Sequence, residues 1–297
     1  MQPIHVERPE TPRDAASVIL LRDSAEGLQV LLQRRSAQMA NMAGVCVFPG
    51  GKLERTDSDA DSTALLDQGL DALHAQLGEP TLSVPQATGL YVAALREALE
   101  ECGLLLATPP GAGSDLAPLV PALRAQLRAG QPFAQALAAQ GLRLNTQQLV
   151  PWSRWITPAS PAMSTRRFDT RFFLAAAPAG QTAEHDNEEA TTSTWLTPRM
   201  ALEQYRDSHI LLAPPQIMSL VQLVRFATPA QALQAARGQR PATIQPEPFM
   251  QDGLRTICYP GDPLHSVPAR AMHGPTRLTE QPDGRYWPAE GFEALFA

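Results

Sequence analysis

The sequence predicts an α/β fold of the mixed (α+β) kind, a mixed sheet sandwiched by helices, and three observations predict it. Short apolar runs separated by turn residues alternate along the chain with stretches of helical periodicity. The strand and helix candidates are interleaved rather than segregated. A chain of 297 residues with 44% apolar and 18% charged residues is long and apolar enough to bury a full core.

The elements follow in order. Residues 1–12 form a Pro-containing leader. Residues 15–21 and 28–32 are apolar, and the turn residues at 23–27 between them predict a β-hairpin. A third strand is expected over 45–48, halted by Pro49, with a loop opening at Gly50 and Gly51. The polar, acidic stretch 57–85 carries Leu65, Leu66, Leu70, Leu73 and Leu77 at helical intervals and reads as a helical insertion. Residues 90–106 are the most helix-like of the chain, ended by the Thr-Pro-Pro-Gly run at 108–111. Two short amphipathic helices broken at 130–132 and at Gly141 are expected over 116–149, as a cap over a pocket. Strands are expected over 152–157, 171–177 and 193–196, and helices over 198–205 and 215–227. Beyond Pro229 come a further short helix and a Pro- and Gly-punctuated tail with apolar patches at Ile244, 256–259 and 286–287. This divides the chain into the leader, a domain over 13–230 with insertions near 58–88 and 112–150, and a C-terminal extension over 231–297.

Charge and cysteine usage narrow the function. With 24 Lys and Arg against 30 Asp and Glu, the net charge of −6 disfavours long nucleic acid but not a small phosphate ester neutralised by a metal ion. Cys46, Cys102 and Cys258 form no CxxC pair and leave an odd thiol, which fits a reducing cytoplasm. The N-terminus lacks the apolar stretch of a signal peptide and no later run reaches the length of a membrane span, so a cytoplasmic protein is expected, with no membrane partner.

The chemistry is carried by the helix. At about 100° per residue, Leu95, Leu99 and Cys102 share one face while Glu97, Glu100 and Glu101, at i, i+3 and i+4, gather on the other. Like charges at this spacing oppose the helix by roughly 0.2–0.5 kcal/mol per pair, which a bound cation offsets. Grouped carboxylates suit Mg²⁺ or Mn²⁺, whereas His and Cys ligands for zinc are missing. Taken by itself, the same pattern also describes a solvated acidic helix face. Cys102, on the apolar side, reads as a packed thiol rather than a nucleophile, and Trp152 and Trp155 as residues of a half-buried strand.

Gly50-Gly51 after a strand, an acidic pair at Glu54 and Asp57, and then the run Arg-Glu-Ala-Leu-Glu-Glu-Cys-Gly-Leu at 96–104 resemble the box of the Nudix hydrolase superfamily. The resemblance implies a Nudix-like α/β/α sandwich over about 13–230. It also implies metal ligation by Gly51, Glu97, Glu100 and Glu101, with Arg96 orienting the site. Two positions depart from the pattern: Asp57 replaces a Glu and is expected to pair with Arg96, and the stretch from Asp57 to Arg96 is far longer than the pattern's seven residues. The insertion, the strand at 167–173 and the Trp-Leu-Thr-Pro turn at 195–198 resemble the larger CoA-diphosphatase-like branch.

The implied reaction is attack of water on one phosphorus of a nucleotide diphosphate, with CoA or acyl-CoA foremost. ADP-ribose, dinucleoside polyphosphates and nucleoside triphosphates are alternatives within the superfamily, and a metal-binding regulatory module without turnover is the alternative outside enzymes. Glu97 competes for the role of general base with Glu188 and Glu189 on the acidic loop before Trp195; Thr192 stands where many relatives place a further Glu. Arg34, Arg35 and Arg167 are candidates for phosphate contact, alongside Arg166. Gln33, Arg35 and Ala40 depart from the CoA pattern. The extension carries no functional signal, and a homodimer through it is left open.

Overall fold

β1 (Arg13–Ser24) and β2 (Gly27–Arg35) form the expected hairpin, closed by Gly27 at φ 101°. The protein is described by a computed structural model covering residues 11–38, 42–109, 111, 115–158, 167–186 and 188–296; residues 1–10 of the leader and Arg166 lie outside them. β3 (Val45–Val47) pairs with β2. The two glycines expected to open a loop instead lie in a short strand, β4 (Gly50–Lys52), antiparallel to β1. Only glycine permits this approach, since a Cβ on Gly50 would stand 2.4 Å from the Ala16 carbonyl oxygen.

The first insertion is helical, as expected: a 3₁₀ turn over Arg55–Ser58, then α1 (Ala60–Ala64) and α2 (Leu70–Leu77). The long helix α3 (Val84–Cys102) starts and stops earlier than the 90–106 expectation. Ser83 and Gln86 form a capping box at its start and Gly103, at φ 66°, ends it in the left-handed conformation, signals that outweigh the apolar run beyond. β5 (Ala107–Thr108) and β6 (Arg143–Leu144) pair and bracket α4 (Val120–Arg128) and α5 (Phe133–Ala139). Then follow β7 (Val150–Ile156), β8 (Phe168–Ala176), β9 (Ala190–Leu196), α6 (Pro198–Arg206), β10 (Leu211–Leu212), α7 (Pro214–Leu223) and α8 (Pro229–Arg237). The tail supplies β11 (Ala242–Ile244), β12 (Glu247–Gln251), β13 (Leu254–Cys258), β14 (Arg277–Glu280) and β15 (Tyr286–Trp287).

The main sheet runs β10-β3-β2-β1-β8-β7-β11, with β4 on β1 and β9 on β2. It is mixed: β1 with β8, β3 with β10 and β7 with β11 are parallel, the rest antiparallel. Central strands are apolar on both faces because helices cover both. Ala16, Val18 and Leu20 of β1 with Phe173 of β8 point to α2, α3, α4 and α5; Ile19, Leu21, Phe172 and Leu174 point to α6, α7 and α8. This is the α/β/α sandwich.

Residues beyond α8 share the second core rather than standing apart. β11 extends the sheet edge along β7, and Tyr259, Leu278 and Leu295 are buried with α6 and α7. On the opposite face, Arg171, 3% exposed, pairs with Asp14, with Glu79 at 2.6 Å and with Asp169 at 3.5 Å, which clamps the loop after α2 to the sheet. Among the described residues, no helix is long and apolar enough to cross a membrane.

Candidate active site

α3 lies across β1 and β4, and its last two turns place Glu97 and Glu101 against the glycine strand, with Glu100 beside them on Arg96. Glu101 does not face away from the protein as the wheel suggests. It is 7% exposed, its Oε2 accepting the Gly50 N–H at 2.9 Å. Its own carbonyl accepts from buried Gln33 of β2 at 2.9 Å, so two strands grip the end of the helix. Gly51 packs so closely on Glu97 that a Cβ there would be 2.1 Å from its Oε1. Gly51→Ala is therefore expected to displace the Glu97 carboxylate, a flexible end, while leaving the fold in place. Turnover should fall on the order of 10²-fold with little change in Tm; wild-type turnover with an unchanged Tm would contradict this.

Arg96 is the hub of the site. Its Nε and Nη2 take both oxygens of buried Asp57 at 2.9 and 3.0 Å, in the pairing expected for the shorter acid. Its Nη2 also donates to the Lys52 carbonyl at 3.1 Å, and Nη1 holds Glu97 Oε1 at 2.9 Å and Glu100 Oε2 at 2.8 Å. Burial opposes the guanidinium charge, but Asp57, Glu97 and Glu100 more than offset it and raise the Arg96 pKa. Burial also pushes Glu97 up to about 7, against the pull of Arg96 and with repulsion from Glu100 and Glu189 added. Glu100 is raised, and Glu101 raised well above the usual carboxylate range, by burial first in each case.

The expected ready-made set of metal ligands is not how these side chains stand. Among the described residues, no group of three or more His, Cys, Asp or Glu is arranged to hold a metal ion. The reason is visible in the pairing: Arg96 Nη1 stands between Glu97 and Glu100 and takes one oxygen of each. The side-chain donors are nevertheless all carboxylates, Glu101 buried and Glu100 partly exposed, and the missing Cβ at Gly51 leaves room for the Glu97 carboxylate against the backbone. Such a donor set fits a hard divalent cation, which Glu97 and Glu100 would meet by turning from Arg96.

The remaining candidates divide. Glu188 and Glu189 line the same cleft as the helix carboxylates, brought there because Glu184 N–H donates to the Cys102 carbonyl and Asp186 accepts the N–H groups of Glu188, Glu189 and Ala190. Both are exposed, and Glu189 pairs loosely with Arg35 at 3.8 Å. Arg34 points to the opposite face of β2, where its Nη2 donates to the His209 carbonyl at 2.8 Å. Arg167 sits at the entry of β8 and donates to the Thr157 carbonyl at 3.0 Å, away from the cleft lining. The period of two in a strand makes adjacent arginines diverge, which a search for basic pairs overlooks. Cys102 is fully buried, and burial raises its thiol pKa far above the usual value, in keeping with a packed thiol.

Two residues that no motif marked complete the cleft: Arg124 and Arg128 of α4. Their signal was the Leu-Arg-Ala-Gln-Leu-Arg run at 123–128, two arginines a helical turn apart with no acid near them. The cleft encloses about 180 Å³ between α3, α4 and the residues Asp186, Glu188 and Glu189. A larger cavity of about 680 Å³ lies between α2, β7 and the end of α8, lined by Gln68, Gln147, Arg237 and Arg240 among others, with no carboxylate in its wall. Size alone does not locate the chemistry.

The NUDT19 Nudix domain family matches residues 10–223. The acyl-coenzyme A diphosphatase NUDT19 of Gallus gallus is 31% identical over 263 residues, covering 73% of this chain and 69% of that protein. The Homo sapiens protein of the same name is 30% identical over 235 residues, covering 69% of this chain and 62% of its own length, and the Xenopus laevis one 28% identical over 236 residues, again spanning 62% of the relative. The crystal structure of a Nudix hydrolase from Alicyclobacillus acidocaldarius superposes with a TM-score of 0.59 at 25% identity, over 78% of this chain and 97% of that one.

Proposed function

The chain belongs to the NUDT19 Nudix family, and from that premise we propose that it is a metal-dependent diphosphatase that hydrolyses CoA or acyl-CoA. The observation that carries the reading is the knot of Glu97, Glu100 and Glu101 under the glycine strand, held by the Arg96–Asp57 pair. Buried like charges are costly unless a cation joins them, and oxygen donors of this kind select Mg²⁺ or Mn²⁺ over zinc. When bound, the cation supplies positive charge to the phosphoryl oxygens.

The chain's own residues do the rest. Glu97 takes the proton of the attacking water, a role for which its place under Gly51 in the wall of the cleft suits it. Glu97, Glu100 and Glu101, with the Gly51 carbonyl, would hold the cation, Glu101 fixed in direction by the Gly50 N–H. Glu188 and Glu189 extend the acidic wall at the rim. Arg96 keeps the helix carboxylates aligned, and Asp57 keeps Arg96 aligned. The oxygen of water forms a bond to one phosphorus as the bridging P–O bond breaks, so CoA yields 3′,5′-ADP and a 4′-phosphopantetheine. The similarity to relatives named acyl-coenzyme A diphosphatase supports CoA as the substrate.

The test is product analysis by mass after incubation with CoA, acyl-CoA, ADP-ribose, NADH, diadenosine polyphosphates and nucleoside triphosphates, with Mg²⁺ or Mn²⁺ and with chelator. Chelator-sensitive release of 3′,5′-ADP is expected. Cleavage of another compound alone keeps the hydrolase and removes CoA; inactivity across the panel with metal bound overturns the enzyme.

A further inference from the structure

We propose that Arg124 and Arg128, on the helix of the 112–150 insertion, form the phosphate-binding wall of the cleft and hold a phosphate group of the substrate opposite the helix carboxylates. The inference rests on reading the cleft as a phosphate site and names the residues that would recognise that phosphate.

The two arginines are at i and i+4 on α4 and so project from one side of it. Both line the cleft whose other walls are Glu97, Glu100 and Glu101 and, at the rim, Asp186, Glu188 and Glu189. α4 reads VPALRAQLR and contains no acid, so its two positive charges repel within the helix without an intrahelical partner. An anion between them removes that conflict.

They are held in different ways. Arg124 is buried, and its Nη2 donates to the Glu100 carbonyl at 2.8 Å, docking α4 on the last turn of α3 beside Gly103. Arg128 is exposed; its Nε reaches the Arg124 carbonyl at 3.4 Å, and among the described residues no carboxylate pairs with it. The buried residue sets the position of the wall, and the exposed one presents a guanidinium fork to the cleft.

Charge explains why such a wall is needed. Six carboxylates repel a diphosphate from the remainder of the cleft, and a cation seated on the carboxylates neutralises only the side that it faces. Guanidinium forks match the paired oxygens of a phosphate and keep their charge at any working pH. At about 180 Å³ the cleft is smaller than the pockets that enclose whole small-molecule ligands. It therefore admits the phosphate-bearing part of a nucleotide, which is the part that the arginines are suited to hold.

The test reads binding rather than turnover. ADP and adenosine 3′,5′-bisphosphate are titrated calorimetrically into the wild-type protein, Arg128→Gln and Arg128→Lys, with Mg²⁺ present throughout. Wild type is expected to bind both nucleotides. Arg128→Gln should weaken at least one of them about tenfold without a change in Tm, and Arg128→Lys should fall between, since it keeps the charge and loses the fork. Equal weakening of both places the reacting phosphate chain on Arg128; weakening of the bisphosphate alone places the ribose phosphate there. Unchanged affinity in Arg128→Gln, or no binding of either nucleotide by wild type, overturns the proposal. Nucleotide binding that depends on Arg128, in a protein that cleaves none of the diphosphates, would overturn the proposed reaction and leave this subsite standing.

Discussion

Glu97→Gln is expected to lower kcat by roughly 10²–10⁴-fold while raising the thermal stability of the metal-free protein at pH 8. Both effects have one origin. Burial pushes the Glu97 pKa from 4.5 to about 7, so the folded state holds its proton more tightly than the unfolded chain does. A group raised in this way contributes stability that is fully present below pH 4.5 and is lost as pH rises through about 7. At pH 8 the carboxylate is charged in a site that disfavours it, and glutamine removes that cost while its amide oxygen still accepts from Arg96. At pH 5 the two proteins should be nearly equal in Tm. Adding Mg²⁺ at pH 8 should stabilise wild type more than the variant, since the cation repays the buried charge. Wild-type turnover in the variant would remove Glu97 from the mechanism, and an identical Tm difference at pH 5 and pH 8 would remove the buried-charge explanation.

The largest loss of stability is expected from Arg96→Met. The side chain that replaces the guanidinium is of similar length and apolar, so packing is largely kept and the change is electrostatic. Asp57, 1% exposed, loses both hydrogen bonds from Arg96 and keeps the one from the Glu54 N–H at 2.8 Å, and Glu97 and Glu100 each lose one. Removing one partner of a buried ion pair costs about 3–5 kcal/mol, to be read from urea or thermal unfolding. Asp57→Asn combined with Arg96→Met should be less destabilised than the sum of the single changes, because the second change removes the orphaned charge left by the first. Strict additivity would mean that the two residues do not act as a unit. Arg96→Lys, which keeps a charge without the fork, should lie between wild type and Arg96→Met.

The same residues show how much the sequence could say. The helix carboxylates were legible because helical periodicity is a local property: spacing alone puts Glu97, Glu100 and Glu101 on one stretch of surface. The Asp57–Arg96 pair, 39 positions apart, was reachable through the resemblance to the Nudix box, which survives the helical insertion because both ends of the insertion return to the same strand and helix. The ends of α3 were misplaced because the apolar run after Cys102 outweighed the stop that Gly103 imposes; Ser83 and Gln86 at the other end were a readable capping box.

Other features depend on contacts made across the chain. That Gly50 and Gly51 form a strand depends on β1 lying alongside them, and β1 is distant in sequence. Gln33, a departure from the CoA pattern when read in line, becomes the residue that grips the Glu101 carbonyl once β2 packs on α3. Arg34 and Arg35 look equivalent in the sequence, and the pleat sends one to the His209 carbonyl and the other toward Glu189. By itself the sequence determined the order of elements, the acidic face of one helix and its neighbouring glycines, because each follows from short-range periodicity and backbone freedom. Only the tertiary structure decided that Glu101 is buried under β4, that Arg96 rather than solvent holds Glu97 and Glu100, and that α4 brings Arg124 and Arg128 to the opposite wall of the cleft. Those outcomes are set by which faces of distant elements meet, and that is settled by the packing of two helical layers on a sheet buried on both sides.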